Sequence, residues 1–423
     1  MSAFTFDFDL EDDLDESFDA TPPQESTAVP SIDKTLVSEG APGGTIPAEE
    51  ITLSSLLSAL PEAFSYSPLT LPTPTTTTGG GGHTLARRDL FDVRFQLSLG
   101  ERDETQAAVG AFVDAPADLV PGTYEGGLKT WECALDLAAY LDRDVLGAHA
   151  GAAAGRRVRG SRVLELGCGT AVPTLLLLDR LFAYLASEPG AATGSPSSGD
   201  SDAESRSAES VQETHIHLQD YNRSVLELVT FPNILLAWYM SPLAAEYHIS
   251  ATDSDSDLDN NEDDSEEGKE IARGRRAAHG RSKPGGLTVT QELLDAFTAS
   301  LDAHKVRLCF FAGSWESLRE TLPHQGKPPY DIVLASETIY RTEALDAFLG
   351  VLRTATTTPP AASLGDREVA RPPLCLVAAK VLYFGVGGGV QGFVRAVEGE
   401  HGAVRTVWEH REGVGRVIMR VEW

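Results

Sequence analysis

The chain has 423 residues, and its 34 Lys and Arg face 63 Asp and Glu, for a formal net charge of −29. That balance excludes a protein whose whole surface tracks nucleic-acid phosphates, since such binding needs cationic side chains. At 42% hydrophobic content there is enough apolar mass for one large domain with extensions. Cys133, Cys168, Cys309 and Cys375 lie far apart with no C-x-x-C spacing, against both a disulfide framework and a cysteine zinc site. No metal site is expected. The acidic N-terminus and the absence of a long apolar run argue against a signal peptide or a membrane span. The plain reading is a soluble protein of the cytoplasm or nucleus.

The first twenty residues hold eight acids and no base, with Phe4, Phe6, Phe8 and Phe18 among them. This is either an acidic docking motif with apolar teeth or a solvated tail. Low-complexity sequence follows through Thr73–Thr78 and Gly79–Gly82, so residues 1–84 are expected to be disordered, with a short helix at Ile51–Leu60. Order is expected to begin near Leu85. Alternation within Ala86–Leu99, at Asp89–Phe95, suggests a strand pair or a strand leading into a loop, and Trp131, Leu135, Leu137, Ala138 and Leu141 recur at helical spacing.

Arg162–Leu166 then reads as a short apolar strand, Gly167-Cys168-Gly169-Thr170 as a tight turn, and Ala171–Leu185 as an apolar helix. The expected partner strand is delayed by a Ser-, Gly- and acid-rich insertion at about 186–213 and arrives as His215–Asp220, followed by a helix over Val225–Val229. A second insertion, about 250–286, is acidic in its first half and basic in its second. Its basic half is either a nuclear-import or RNA-touching arm or part of a self-neutralising loop. Helices at Gln291–Ala303, Thr342–Thr354 and Val390–Gly399 alternate with strands at Arg307–Phe311, Asp331–Ser336 and Leu374–Lys380. Such alternation implies a parallel sheet covered on both faces. The last two strands, Val404–His410 and Gly415–Trp423, are too close for a parallel crossover and must form an antiparallel hairpin. The fold expected over 85–423 is therefore α/β, a doubly wound sheet ending in that hairpin, with two disordered insertions.

In an open α/β sheet, ligands sit at the carboxyl ends of strands where strand order reverses. Gly167 and Gly169 permit a tight turn and a close approach of ligand to backbone, beside a helix with free N–H groups. A dinucleotide fingerprint would need glycine at 172, which is Val172. Asp220 ends the next strand, where a carboxylate can accept ribose hydroxyls; the lesser alternative is an N-cap before Asn222–Arg223. The 55-residue interval from Glu165 to Asp220 shrinks to 27 when the 28 residues of the first insertion are set aside. That is near the usual spacing of roughly 20 from loop to acid. A nucleoside cofactor without pyrophosphate fits this pattern, and S-adenosylmethionine meets the description. Trp315 at the third strand's end would stack on adenine or belong to the core. Ser336-Glu337-Thr338 at the fourth would face the substrate.

Several of these stretches together resemble the eukaryotic protein-histidine N-methyltransferases: Pro121–Cys133, Glu165–Gly169, Leu218–Asn222, Gly313–Trp315, Ala335–Tyr340 and the glycine-rich Tyr383–Gly389. The match runs over about 120–423 apart from the insertions. The resemblance implies a seven-stranded methyltransferase fold and methylation of a histidine in the third protein of the large ribosomal subunit. It implies a cofactor pocket at Trp131, Glu132, Cys133, Ala134, Leu135, Glu165, Gly167, Gly169, Asp220, Tyr221, Asn222, Gly313, Ser314, Trp315 and Ser336. An imidazole acceptor needs one nitrogen aimed at the methyl group and the other held by an acceptor, for which Glu337 and Asn222 are the candidates. The partner expected is a protein substrate, with no direct nucleic-acid reading, no membrane and a monomeric enzyme. A protein-lysine methyltransferase of the same fold and a catalytically silent scaffold for ribosomal proteins are the alternatives. An enzyme acting on exocyclic base amines would commonly carry an N/D-P-P-Y/F run where this chain has Ser336–Tyr340.

Overall fold

The computed structural model describes residues 46–73, 82–99, 126–188, 213–253, 280–324, 329–357, 372–383 and 387–423. The acidic tail and most of both expected insertions lie outside the described residues, as do Pro121–Glu125 and 384–386 of the glycine-rich run. Eleven strands are described: β1 Glu49–Ile51, β2 Ala63–Thr70, β3 Thr84–Arg88, β4 Arg162–Leu166, β5 Thr214–Asp220, β6 Gly285–Thr288, β7 Val306–Ala312, β8 Ile332–Ser336, β9 Leu374–Lys380, β10 Ala403–His410 and β11 Arg416–Glu422. The main helices are α1 Leu53–Ser58, α2 Leu90–Leu99, α3 Glu132–Tyr140, α4 Val172–Ser187, α5 Phe231–Tyr239, α6 Ala245–Asp253, α7 Gln291–Ala303, α8 Trp315–His324, α9 Leu345–Thr356 and α10 Val390–Gly399.

The main sheet is mixed and eight-stranded, ordered β1-β7-β5-β4-β8-β9-β11-β10. Strands β7, β5, β4, β8 and β9 run parallel; β1, β11 and β10 each run antiparallel to their neighbours. The chain leaves β4 outward through β5 to β7, then returns to the other side of β4 with β8. The reversal lies between β4 and β5 on one side and β8 on the other, so the crevice falls at Gly167. Both faces of the sheet are buried, and the period-two alternation sorts side chains between them. Leu376 and Ala378 of β9 join the core with Phe182, Phe231 and Trp238, while Cys375, Val377 and Ala379 join Phe348, Leu352 and Phe393 on the other face.

Eight strands replace the expected seven, because β1 closes the β7 edge, pairing Glu49 with Ala312 and Ile51 with Phe310. Order therefore begins before Leu85. Residues 46–73 carry β1, α1 and β2, and β2 is the centre of a second, three-stranded sheet ordered β3-β2-β6. Only Ile51 of β1 is buried, so the strand leaves no periodic signal in the sequence. The partner strand β6 lies at the end of the expected 250–286 insertion, and α6 reaches into its start. Both boundaries of that insertion are thus too generous. Of the Ala86–Leu99 stretch, Ala86–Arg88 ends strand β3, and Leu90–Leu99 is helix α2 rather than a second strand or a loop, a confusion that short apolar runs invite.

A buried cluster ties these outlying pieces to the core. Asp179 of α4, 5% exposed at its side chain, meets His83 at 2.9 Å with one oxygen and Arg281 at 2.6 Å with the other. Arg281 also donates to the Met240 carbonyl. Burial alone would raise the Asp179 pKa, but the His83 hydrogen bond and the Arg281 charge outweigh it and hold the carboxyl below its ordinary value.

Candidate active site

Five strand ends converge on one crevice, at Gly167 after β4, Asp220 on β5, Gly313 after β7, Ser336–Glu337 on β8 and Lys380 on β9. Gly167 and Gly169 both have positive φ, 60° and 51°. A Cβ on Gly167 would stand 2.9 Å from the Thr338 methyl, and one on Gly169 would stand 3.2 Å from the Gly127 carbonyl. The turn is therefore sandwiched, with the β8 exit on one side and the lead-in to α3 on the other, and only glycine fits.

Gln219 organises the floor. Its Oε1 accepts from the Gly167 N–H at 3.2 Å and from the Trp315 indole N–H at 2.8 Å, and its Nε2 donates to the Gly313 carbonyl at 2.8 Å. One buried amide thus fixes the loops after β4 and β7. Trp315 uses its N–H here and packs its ring on Phe348 at 4.9 Å, so it serves the core and walls the crevice at once. The Gly313 N–H donates to the carbonyls of Asp220 and Tyr221. Its φ of 111° is required from the other side, where a Cβ would meet the Pro47 carbonyl at 2.4 Å. Ser314 donates its N–H to the Ile46 carbonyl. The segment leading into β1 thus buttresses the third strand end.

Asp220 is enclosed. Oδ2 accepts from the Gly169 N–H at 3.0 Å and Oδ1 from the Asn222 N–H at 3.0 Å. Burial pushes its pKa up to about 6 against those hydrogen bonds. A carboxylate so desolvated has capacity for further donors, as ribose hydroxyls would supply. Asn222 gives its amide to the Gly126 carbonyl at 3.0 Å. With β4 standing between β5 and β8, the structure does not bring Asn222 to Glu337. Glu165 lies beneath the turn, where its Oε2 accepts from both the backbone N–H and the hydroxyl of Thr174 at the start of α4. Burial pushes it up to about 8. It caps the helix through Oε2, and its Oε1 is buried without a hydrogen-bond partner among the described residues.

On the other side of the turn stands a second cluster that the sequence reading only half located. Glu337 follows β8 with φ 57°, a left-handed backbone that costs a non-glycine residue about 1 kcal/mol or more. Its N–H donates to the Ala378 carbonyl, and its Oε2 accepts from the Tyr383 hydroxyl at 2.6 Å. Glu337 Oε1 and the neighbouring Thr338 hydroxyl are buried without a hydrogen-bond partner among the described residues. Lys380 Nζ lies 3.8 Å from that Oε1, 3.0 Å from Glu132 Oε2 and 5.0 Å from the Trp131 ring centre. Burial pulls the Lys380 ammonium down, yet Glu337 and Glu132 outweigh it and hold its pKa above the ordinary value. Cys133, next along α3, is buried, and burial followed by the Glu337 charge drives its thiol far above the ordinary range, leaving it inert.

The structure therefore gathers the predicted residues into two halves. Gly167, Gly169, Asp220, Tyr221, Asn222, Gly313, Ser314 and Trp315 form one; Trp131, Glu132, Cys133, Ser336 and Glu337 form the other. The Thr130–Thr170 hydroxyl contact at 3.0 Å joins them, braced by Arg87 of β3. Gln219, Lys380 and Tyr383 were not singled out from sequence, although each sits at or just beyond a strand's carboxyl end, where function concentrates in this architecture. A glycine turn at a strand's carboxyl end with a buried carboxylate on the next strand fits a ligand of nucleoside type, and the unpartnered Glu337 Oε1 across the turn fits a second polar group.

No protein-family model matches the chain. It is 28% identical over 383 residues to histidine protein methyltransferase 1 of Schizosaccharomyces pombe, covering 89% of this chain and 85% of that protein. It is 29% identical over 320 residues to histidine protein methyltransferase 1 of Saccharomyces cerevisiae, covering 73% and 67%. The Bos taurus homolog is 29% identical over 313 residues, covering 72% of this chain and 57% of that protein. Among solved structures, the rRNA methyltransferase AviRa of Streptomyces viridochromogenes aligns over 76% of this chain and 94% of its own, at 13% identity and a TM-score of 0.31.

Proposed function

We propose that the chain is a member of the eukaryotic protein-histidine methyltransferase family and methylates a ring nitrogen of a protein histidine with S-adenosylmethionine as donor. The observation that carries the reading is the buried Oε1 of Glu337, which accepts no hydrogen bond among the described residues and stands beside a glycine turn suited to a nucleoside. The residues that would hold the cofactor are Gly167, Gly169, Asp220, Tyr221, Asn222, Gly313, Ser314, Trp315 and Ser336, with Ala134 and Leu135 of α3, while Trp131 and Glu132 face Lys380. When bound, that cofactor supplies an electrophilic methyl group, its sulfur leaving with the bonding electron pair.

The remaining chemistry belongs to the chain. A neutral imidazole, the prevailing form at an ordinary histidine pKa of about 6.5, is already a nucleophile. Glu337 Oε1 accepts its far N–H, which turns the other nitrogen's lone pair towards the transferable methyl. As positive charge builds on the ring, Oε1 takes that proton, and a neutral methylhistidine results. Tyr383 holds the opposite oxygen, so the carboxylate presents one fixed lone-pair direction rather than a rotating pair. Orientation and exclusion of water are the main contributions that such an in-line transfer asks of a protein.

The substrate we propose is the third protein of the large ribosomal subunit, with the enzyme acting as a monomer in the cytoplasm or nucleus. The acidic stretches support a basic partner of that kind. Residues 1–20 hold eight acids and no base, and residues 251–270 hold ten acids and one base. Calorimetric titration with S-adenosylmethionine, paired with turnover of Glu337→Gln, tests the assignment. Binding should survive that substitution while turnover falls; unchanged turnover would remove Glu337 from the mechanism.

A further inference from the structure

The Lys380 ammonium occupies a seat made of one aromatic ring and two carboxylates. Its Nζ lies over the Trp131 ring at 5.0 Å and between two carboxylates, 3.0 Å from Glu132 and 3.8 Å from Glu337. An aromatic face flanked by carboxylates is the general recipe for holding an ammonium group. Here the chain supplies that cation itself, from the last residue of β9, with only 13% of the side chain exposed. We propose that Lys380 is a specificity-determining residue, a resident ammonium that fills the pocket's cation seat and so limits the acceptor to a neutral imidazole. This rests on the histidine reading above and deepens it.

A lysine acceptor reaches neutral pH as an ammonium, since its ordinary pKa is about 10.4. Entering beside Glu337, it would need the seat over Trp131 and would meet a like charge at about 4 Å. An imidazole asks only for a hydrogen bond to Oε1 of Glu337, which has none among the described residues and stands 3.8 Å from Lys380 Nζ, at the long end of ion-pair contact. Lys380 also balances one of the two carboxylates. Without it, Trp131, Glu132 and Glu337 become an open aromatic and acidic cage with two negative charges, attractive to any ammonium.

The test uses the full-length chain and the large-subunit ribosomal protein it labels, in native form and with the acceptor His→Lys. Wild type should methylate the histidine form and leave the lysine form unmodified. In Lys380→Ala the histidine-to-lysine rate ratio should fall about tenfold or more, the scale of one removed like-charge contact in a partly buried site. Added n-propylammonium should reoccupy the seat and restore the ratio, and Lys380→Arg should retain most of it. Lys380→Met keeps an apolar stem against Trp131 without the charge, so it gives the same readout should the alanine variant fail to fold. An unchanged ratio in a folded Lys380→Ala or Lys380→Met enzyme would overturn the inference and leave the histidine assignment standing. Methyllysine from wild type would instead sink the histidine assignment itself.

Discussion

Tyr383 donates its hydroxyl to Glu337 Oε2 at 2.6 Å while accepting from the Lys380 backbone N–H at 3.2 Å. The exit of β9 is thereby locked onto the exit of β8, and of the two Glu337 oxygens only Oε1, 3.8 Å from Lys380 Nζ, accepts no hydrogen bond among the described residues. Removing the hydroxyl should loosen the carboxylate without touching the cofactor half of the crevice. Tyr383→Phe is expected to lower kcat about tenfold, the rate equivalent of one hydrogen bond to a charged group, with cofactor affinity unchanged. Steady-state kinetics alongside calorimetry separate the two quantities.

Asp220 gives a pH signature. Hydroxyl donors favour its ionised form, whereas burial raises its pKa to about 6. Protons and cofactor therefore compete for the same oxygens. The dissociation constant for S-adenosylmethionine should rise as pH falls through about 6 and level off above it. In Asp220→Asn binding should be weaker, and that inflection should disappear.

Gln219 holds three partners with one side chain, and truncation orphans them together. Gln219→Leu should cost about 2 kcal/mol or more of stability, because the Gly167 N–H, the Trp315 N–H and the Gly313 carbonyl lose buried partners. Cofactor affinity should fall with it, since two binding loops lose their common anchor. Urea unfolding and calorimetry report on each.

The Asp179 cluster predicts behaviour in acid. Its pKa is lowered in the folded state, so its stabilisation is present above the unfolded value of 3.8 and is lost as pH falls through the folded one. Arg281→Met leaves a buried carboxylate with His83 alone and should destabilise by about 3 kcal/mol near neutral pH. Asp179→Asn should flatten the acid limb of stability against pH.

Much of this site was legible because its signals are local. Gly167-x-Gly169 follows a five-residue apolar strand directly, and Asp220 ends the next strand. Gln291–Ala303, Leu374–Lys380 and Val390–Gly399 are read to the residue, since clear periodicity and turn residues bound them. What stayed hidden depends on distant pairing. β1 is three residues long and finds its partner at Phe310–Ala312; β2 pairs with Gly285–Thr288, more than two hundred residues later. Helix α8 went unread because its sequence is largely polar, and Leu318 is its one fully enclosed apolar side chain among the described residues. Lys380 shows no motif at all. Its role arises only where the ends of β8 and β9 meet the first turn of α3.

The central claim is that imidazole is the acceptor, and the product decides it. Wild-type enzyme should be incubated with methyl-labelled S-adenosylmethionine and purified large-subunit ribosomal proteins, and the labelled band hydrolysed for amino-acid analysis. The account predicts label in methylhistidine, with Glu337→Gln reducing it sharply. Label in methyllysine would contradict it.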